Sequence, residues 1–280
     1  MTRISSSLDA YSPATVAQSV EKVGVIKAHN TFWKTLTLGV LAGAFIAFGG
    51  MFYTTVITGS ADAVMPFGVA RLLGGVAFSL GLILVVVAGA ELFTGNNLIV
   101  MAWADRKISS KILLRNWLIV YIGNWVGASG CAVLYFLSGS WEMADGELAN
   151  TIVNIATSKT VLPAGEAFVR GILCNILVCL AVWMCFAARS VSDKVLAILF
   201  PISAFVALGF EHSIANMYLI LIGMFVSNDP NYAHLAELSA PLLTVDGYLY
   251  NILFVTLGNI VGGSLFVAAT YYFVYIRVRP

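Results

Sequence analysis

Two short stretches hold the residues best suited to chemistry. Gly209-Phe210-Glu211-His212-Ser213-Ile214-Ala215-Asn216 sets a carboxylate beside an imidazole. Gly89-Ala90-Glu91-Leu92-Phe93-Thr94-Gly95-Asn96 repeats the G-x-E-x-x-x-x-N skeleton and adds the Thr94 hydroxyl. Acid–base catalysis wants a nucleophile or a metal within reach. The apolar spans offer no second histidine and no Cys-His pairing. Cys131, Cys174, Cys179 and Cys185 lack metal-ligand spacing and read as small buried hydrophobes. An enzyme, a bound metal and a cofactor are therefore not expected. A site built from one imidazole, a hydroxyl and helix N-termini suits a small anion instead.

The elements that must position these residues cross a membrane. The chain is 60% apolar and 10% charged, against about 25% charged in soluble domains. Net charge is +1, with no basic or acidic tail, which argues against nucleic acid as a partner. The first thirty residues are polar and lack the apolar core of a cleavable signal peptide. Pro13 follows Ser12, an N-cap with proline in the first turn. Val16, Val20 and Val23 recur at helical spacing, so 1–30 is expected to carry a short amphipathic helix lying on the membrane surface.

Six apolar segments follow, at about 33–57, 66–103, 112–137, 161–188, 195–226 and 248–276. The two G-x-E stretches interrupt the second and the fifth. A Glu-His pair at membrane depth is a functional-site hypothesis by default; the alternative places it at the surface, between two short helices. Lys22, Lys27, Lys34, Arg106, Lys107, Lys111, Arg115, Arg189, Lys194, Arg277 and Arg279 fall on one side. Asp62, Glu142, Asp145, Glu147, Asp229, Glu237 and Asp246 fall on the other, where only Arg71, Lys159 and Arg170 are basic. The positive-inside rule then makes both termini cytoplasmic.

Gly123-Asn124-Trp125-Val126-Gly127 also matches Gly258-Asn259-Ile260-Val261-Gly262. The chain reads as a duplication. Three spans per copy is an odd number, so the second copy must be inverted. The expected division is a cytoplasmic segment 1–30, a repeat 31–138, a periplasmic loop 139–160 and an inverted repeat 161–280. The fold class is all-α and polytopic, with broken second and fifth helices meeting in mid-membrane. Glu91 and Glu211 are expected to support the breaks by accepting hydrogen bonds from freed backbone N–H groups. Gly95 offers unusual dihedrals there. Gly39/Gly43, Gly123/Gly127 and Gly258/Gly262 suit close helix packing. Asn124, Asn175 and Asn259 read as interhelical hydrogen bonders or as pore lining. Phe78, Leu82, Leu92 and Phe205 lie near the breaks in apolar surroundings.

Ala88–Gly95, A-G-A-E-L-F-T-G, and Gly171–Ala181, G-I-L-C-N-I-L-V-C-L-A, resemble the two signature stretches of the formate/nitrite transporter family. Met65–Gly68, Ala181–Met184 and Gly209–Met217 resemble its formate branch. The resemblance implies a homopentamer of six-span, aquaporin-like protomers in the bacterial inner membrane, passing formate or a similar small anion. It maps the central histidine onto His212 and the helix-break threonine onto Thr94. It maps apolar constrictions onto Phe78, Leu82, Leu92 and Phe205, with Val178 and Asn175 nearby. It maps a vestibule lysine onto Lys159 and the last span's buried amide onto Asn259, and sets Lys27 in the N-terminal helix. Nitrite or hydrosulfide is the alternative cargo. A water or neutral-solute channel should carry Asn-Pro-Ala at both breaks, and neither break holds a proline.

Overall fold

In hydrocarbon a backbone must satisfy its own polar groups, and long apolar runs do so as helices. The computed structural model describes residues 11–59, 65–232 and 243–278. Asp62, Glu237 and Arg279 lie outside them. Five helices are long and apolar enough to cross a membrane: α2 (Phe32–Ile57), α3 (Phe67–Gly89), α5 (Ser110–Leu137), α7 (Ala164–Ala187) and α10 (Val245–Arg277). The fifth apolar run is divided into α8 (Val191–Ala207) and α9 (Ser213–Ser227). Among the described residues there is no strand, and the chain is an all-α polytopic membrane protein.

Both breaks occur where the sequence places them. α3 loosens into a π-helical turn over Val85–Gly89 and stops at Gly89, φ +87°. The chain then runs extended through Ala90 before a 3₁₀ turn, Gly95–Ile99, and the short α4 (Val100–Ala104). α8 stops at Leu208, and Gly209 takes φ +73°. A left-handed residue after the last helical carbonyls ends a helix at little cost only when it is glycine. Gly89 carries the unusual dihedral at the first break, whereas Gly95 sits inside the 3₁₀ turn.

Small residues bring the spans together. α2 and α5 touch at Gly39 and Gly123; α7 and α10 touch at Gly171 and Gly258. A Cβ on Gly127 would come within 1.9 Å of the Val40 carbonyl oxygen, so the crossing has no room for alanine.

Two segments differ from expectation. Ser12 accepts from the Thr15 N–H and starts α1 (Pro13–Ala28) as expected. Yet α1 buries Val16, Ala17 and Val20 in one cluster with Leu98, Ile99, Met101 and Trp183. Its apolar face meets the protein rather than lipid. The expected loop 139–160 is largely helical: α6 (Glu147–Thr160) buries Leu148, Ile152 and Ala156 against α9. Apolar residues at i, i+4 and i+8 make that helix amphipathic, and α9 supplies the surface that stabilises it.

Candidate anion pathway

Each break frees backbone donors and acceptors, and one asparagine serves each. Asn124 Oδ1 accepts from the Phe93 N–H at 2.9 Å, while its Nδ2 donates to the carbonyls of Gly39 and Glu91 at 2.8 and 2.9 Å. Asn259 Oδ1 accepts from the Ser213 N–H at 2.9 Å, while its Nδ2 donates to the carbonyls of Gly171 and Glu211 at 2.8 and 3.0 Å. Glu91 N–H donates to Leu38, and Glu211 N–H to Arg170. The two breaks are bonded alike, atom for atom.

The carboxylates do a different job from the one expected. Glu91 accepts from Asn96 Nδ2 at 2.7 Å and faces Lys27 Nζ at 3.2 Å. Glu211 accepts from Asn216 Nδ2 at 2.6 Å and from Lys159 Nζ at 2.9 and 3.1 Å. Asn96 and Asn216 also donate to Asn116 and Asn251. Those amides in turn donate to the carbonyls of Lys27 and Lys159. The freed N–H groups go to amide oxygens because an amide donates and accepts at one position; an ionised carboxylate only accepts. Each carboxylate instead holds an asparagine and a lysine. Lys159 is thus paired, its side chain only 14% exposed.

His212 is the N-cap of α9. Its Nδ1 accepts from the Ala215 N–H at 3.1 Å, so the neutral ring carries its proton on Nε2. Nε2 lies 3.0 Å from Thr94 Oγ1. With Nε2–H donating, Thr94 Oγ1 is the acceptor and its own proton is free to turn elsewhere. Helix N-termini contribute less than expected. Around the start of α9 the Ser213 and Ala215 donors are already taken, and the helical turn after the first break is short.

Two cavities approach this pair from opposite ends. One, of ≈ 470 Å³, is lined by Lys27, Lys34 and Lys194 against the single carboxylate Glu91, with Leu82 and Leu92 also in its lining. The other, of ≈ 210 Å³, is lined by Lys159, Arg71 and Arg170 against Glu211, with Phe78, Phe205 and His212. Phe78 and Leu82 are four residues apart on α3, so roughly 6 Å of apolar packing separates the cavities. Phe205 stacks on the His212 ring at 6.0 Å and meets Phe78 edge-on at 5.6 Å.

Of the residues singled out from sequence, Thr94, Asn175, Val178 and Asn259 are fully buried and border neither cavity. Asn175 donates to the carbonyls of Thr94 and Asn259, tying one break to the last helix. Arg71, Arg170, Lys34 and Lys194 were missed as lining groups, and Asn116 and Asn251 as partners of the breaks. Asn96 and Asn216 are the terminal asparagines of the repeated skeleton, a signal already visible. Asn116 and Asn251 meet them only through tertiary contact.

Residues 14–273 match the sequence profile described as formate/nitrite transporter. The chain is 44% identical to the formate channel FocA of Escherichia coli strain K12 over 276 residues, 96% of each chain. It is 39% identical to the formate channel FocA of Haemophilus influenzae, covering 91% of this chain and 92% of that one. The solved structure of a pentameric formate channel with formate bound superposes with a TM-score of 0.81 at 41% identity, covering 88% of this chain and 98% of that one. An ion channel of the same family gives 0.76 at 30% identity, covering 93% and 97%. With its breaks, its amides and nearly its whole length accounted for in this way, the chain belongs to the formate/nitrite transporter family.

Proposed function

We propose that this protein is a membrane channel for formate and similar small monovalent anions, seated in the bacterial inner membrane with both termini cytoplasmic. The observation that carries the reading is the pair of cation-rich cavities converging on an apolar layer that holds Thr94 and His212. Cations in a low-dielectric cleft concentrate anions at its mouth. Phe78, Leu82, Leu92, Phe205 and Val178 form the constriction, and Asn175 and Asn259 hold its frame. The matched bonds at the two breaks support six spans in two inverted repeats, an aquaporin-like protomer, with α1 and α6 as equivalent capping helices before residues 31–138 and 161–280. The likeness to pentameric relatives supports five protomers.

An anion entering the layer loses hydration worth many kcal/mol. Thr94 Oγ–H donates to it, and His212 supplies a proton: imidazolium and carboxylate become imidazole and a neutral acid, which crosses the layer at lower cost. His212 can take up that proton only at Nδ1, giving up its cap on Ala215. Losing a helix cap costs about 0.5–2 kcal/mol, less than the hydration at stake. The rival route has the anion pass charged, with His212 a donor only.

Uptake of labelled formate and nitrite into proteoliposomes, with internal pH followed, tests the reading. Formate should enter with a proton. The His212→Asn protein, which keeps a donor and cannot protonate, should assemble yet lose the coupling. Coupling retained in His212→Asn would sink the relay, and no anion uptake by the wild type would sink the function.

A further inference from the structure

Away from both cavities, a third hollow of ≈ 970 Å³ opens at one end of the spans, between the turn after α4 and the last turn of α10. Trp103, Arg106, Lys107, Ile112, Tyr272 and Arg277 line it. It shares no residue with the anion pathway, and that pathway assigns it no role.

Three observations give it a chemistry. The first is charge. Lys107 is occupied, bonded to Glu21 and to Asp105. Arg106 and Arg277 are exposed and have no side-chain partner among the described residues. Asp105, the carboxylate that also lines the hollow, is engaged by Lys107 at 3.3 Å, and two guanidiniums outside that pair suit the bidentate recognition of a phosphodiester. The second is a fixed backbone. Arg106 has φ +58°, held by its N–H on the Trp103 carbonyl and by the Lys107 N–H on that of Ala102. These paired bonds are a helix C-cap that closes α4, and they fix the backbone from which the Arg106 side chain leaves. The third is depth. Trp103 is 44% exposed and its indole N–H reaches Ser110. Tyr272, from α10, also lines the hollow. Indole and phenol rings beside cations mark the headgroup level of a bilayer. Apolar side chains lead away from it along both helices: Leu114 and Leu118 on α5 are 58% and 62% exposed, and Phe266 and Phe273 on α10 are 53% and 54% exposed. A free anion has no use for such a border; an acyl chain does.

We propose that this hollow binds the headgroup of an anionic phospholipid, its phosphate between Arg106 and Arg277 and its acyl chains along α5 and α10. Basic pockets between membrane helices recognise anionic headgroups by this logic. The lipid would tie the turn that grips α1, through Lys107 and Glu21, to the end of the last span.

The test is native mass spectrometry of the full-length protein in detergent, titrated with phosphatidylglycerol or phosphatidylcholine. Wild type should retain phosphatidylglycerol in preference to phosphatidylcholine. The Arg106→Gln/Arg277→Gln protein should assemble with unchanged mass and bind phosphatidylglycerol about tenfold more weakly or worse, the effect of losing charged hydrogen bonds. The Arg106→Lys/Arg277→Lys protein, with charge but no fork, should fall between. Equal retention by wild type and the glutamine variant would overturn the proposal, as would equal retention of the two lipids. Displacement by equimolar inorganic phosphate would make it a free-anion site. Zero-length cross-linking of a cysteine at position 106 to a second copy would show a protein contact there instead.

Discussion

Thr94 and His212 share one hydrogen bond across the two breaks, and their roles separate by substitution. Thr94→Val keeps the shape and removes the proton that is free to meet the anion. Assembly should survive, while formate flux falls by about tenfold, the scale of one hydrogen bond to a charged group. Unchanged flux would reduce Thr94 to packing. Asn124 and Asn259 predict a different loss. Each satisfies one donor and one acceptor at a buried break and bonds a carbonyl of a neighbouring helix. Asn259→Leu orphans the Ser213 N–H and the Glu211 carbonyl at the break, and an unsatisfied buried group costs about 1–3 kcal/mol. Thermal unfolding of the detergent-solubilised protein should fall markedly, and flux only in proportion to folded protein. Normal stability in Asn259→Leu would show that water or backbone adjustment replaces the amide.

At the scale of elements, α1 is held by an apolar face and one ionic clamp. Burial pushes the Glu21 carboxyl above its ordinary value, while its bond to Lys107 opposes the shift. The same bond raises the Lys107 ammonium. Removing Lys107 therefore leaves a buried charge without its partner, which costs more than removing both ends. In Lys107→Met, hydrogen exchange across α1 should quicken at neutral pH. A carboxyl whose docked pKa is raised binds its proton more tightly when docked. Falling pH through that raised value then favours docking, and acidification should restore protection in Lys107→Met. Further loss of protection on acidification would show that Glu21 is not the group that controls docking. α6 presents Lys159 to Glu211 as α1 presents Lys27 to Glu91.

For the whole molecule, two cavities carry an excess of cations, and the proposed channel opens them to opposite solutions. Steering by their cations should fade as salt rises, since the screening length is about 10 Å at 0.1 M. Lys159→Gln should lower formate uptake most at low ionic strength. The structure adds a term that salt does not remove, because Glu211 would lose its cation. A loss of equal size at every salt concentration would assign Lys159 to holding Glu211 rather than to steering. Orientation is tested by labelling. A cysteine at Ser140 should react with an impermeant thiol reagent in intact cells, and one at Lys111 should not. Reaction at Lys111 would invert the topology.

The sequence by itself determined the class and the places of the breaks. Its composition leaves no soluble fold open. Gly89 and Gly209 stop helices inside apolar runs, because local sterics act at a single residue. The G-x-E-x-x-x-x-N skeleton and the Gly-Asn-x-Val-Gly match are short strings that can be read directly from the chain. Tertiary structure alone decided which polar group meets which. The amides, not the carboxylates, serve the breaks, because Asn124 and Asn259 arrive from helices far along the chain. Lys27 and Lys159 reach matching carboxylates only once α1 and α6 have docked, and the docking surfaces of those helices are assembled by other spans. A hydrogen bond between residues 118 positions apart, such as that of Thr94 and His212, leaves no periodicity or local spacing to read; it exists only when the spans have packed.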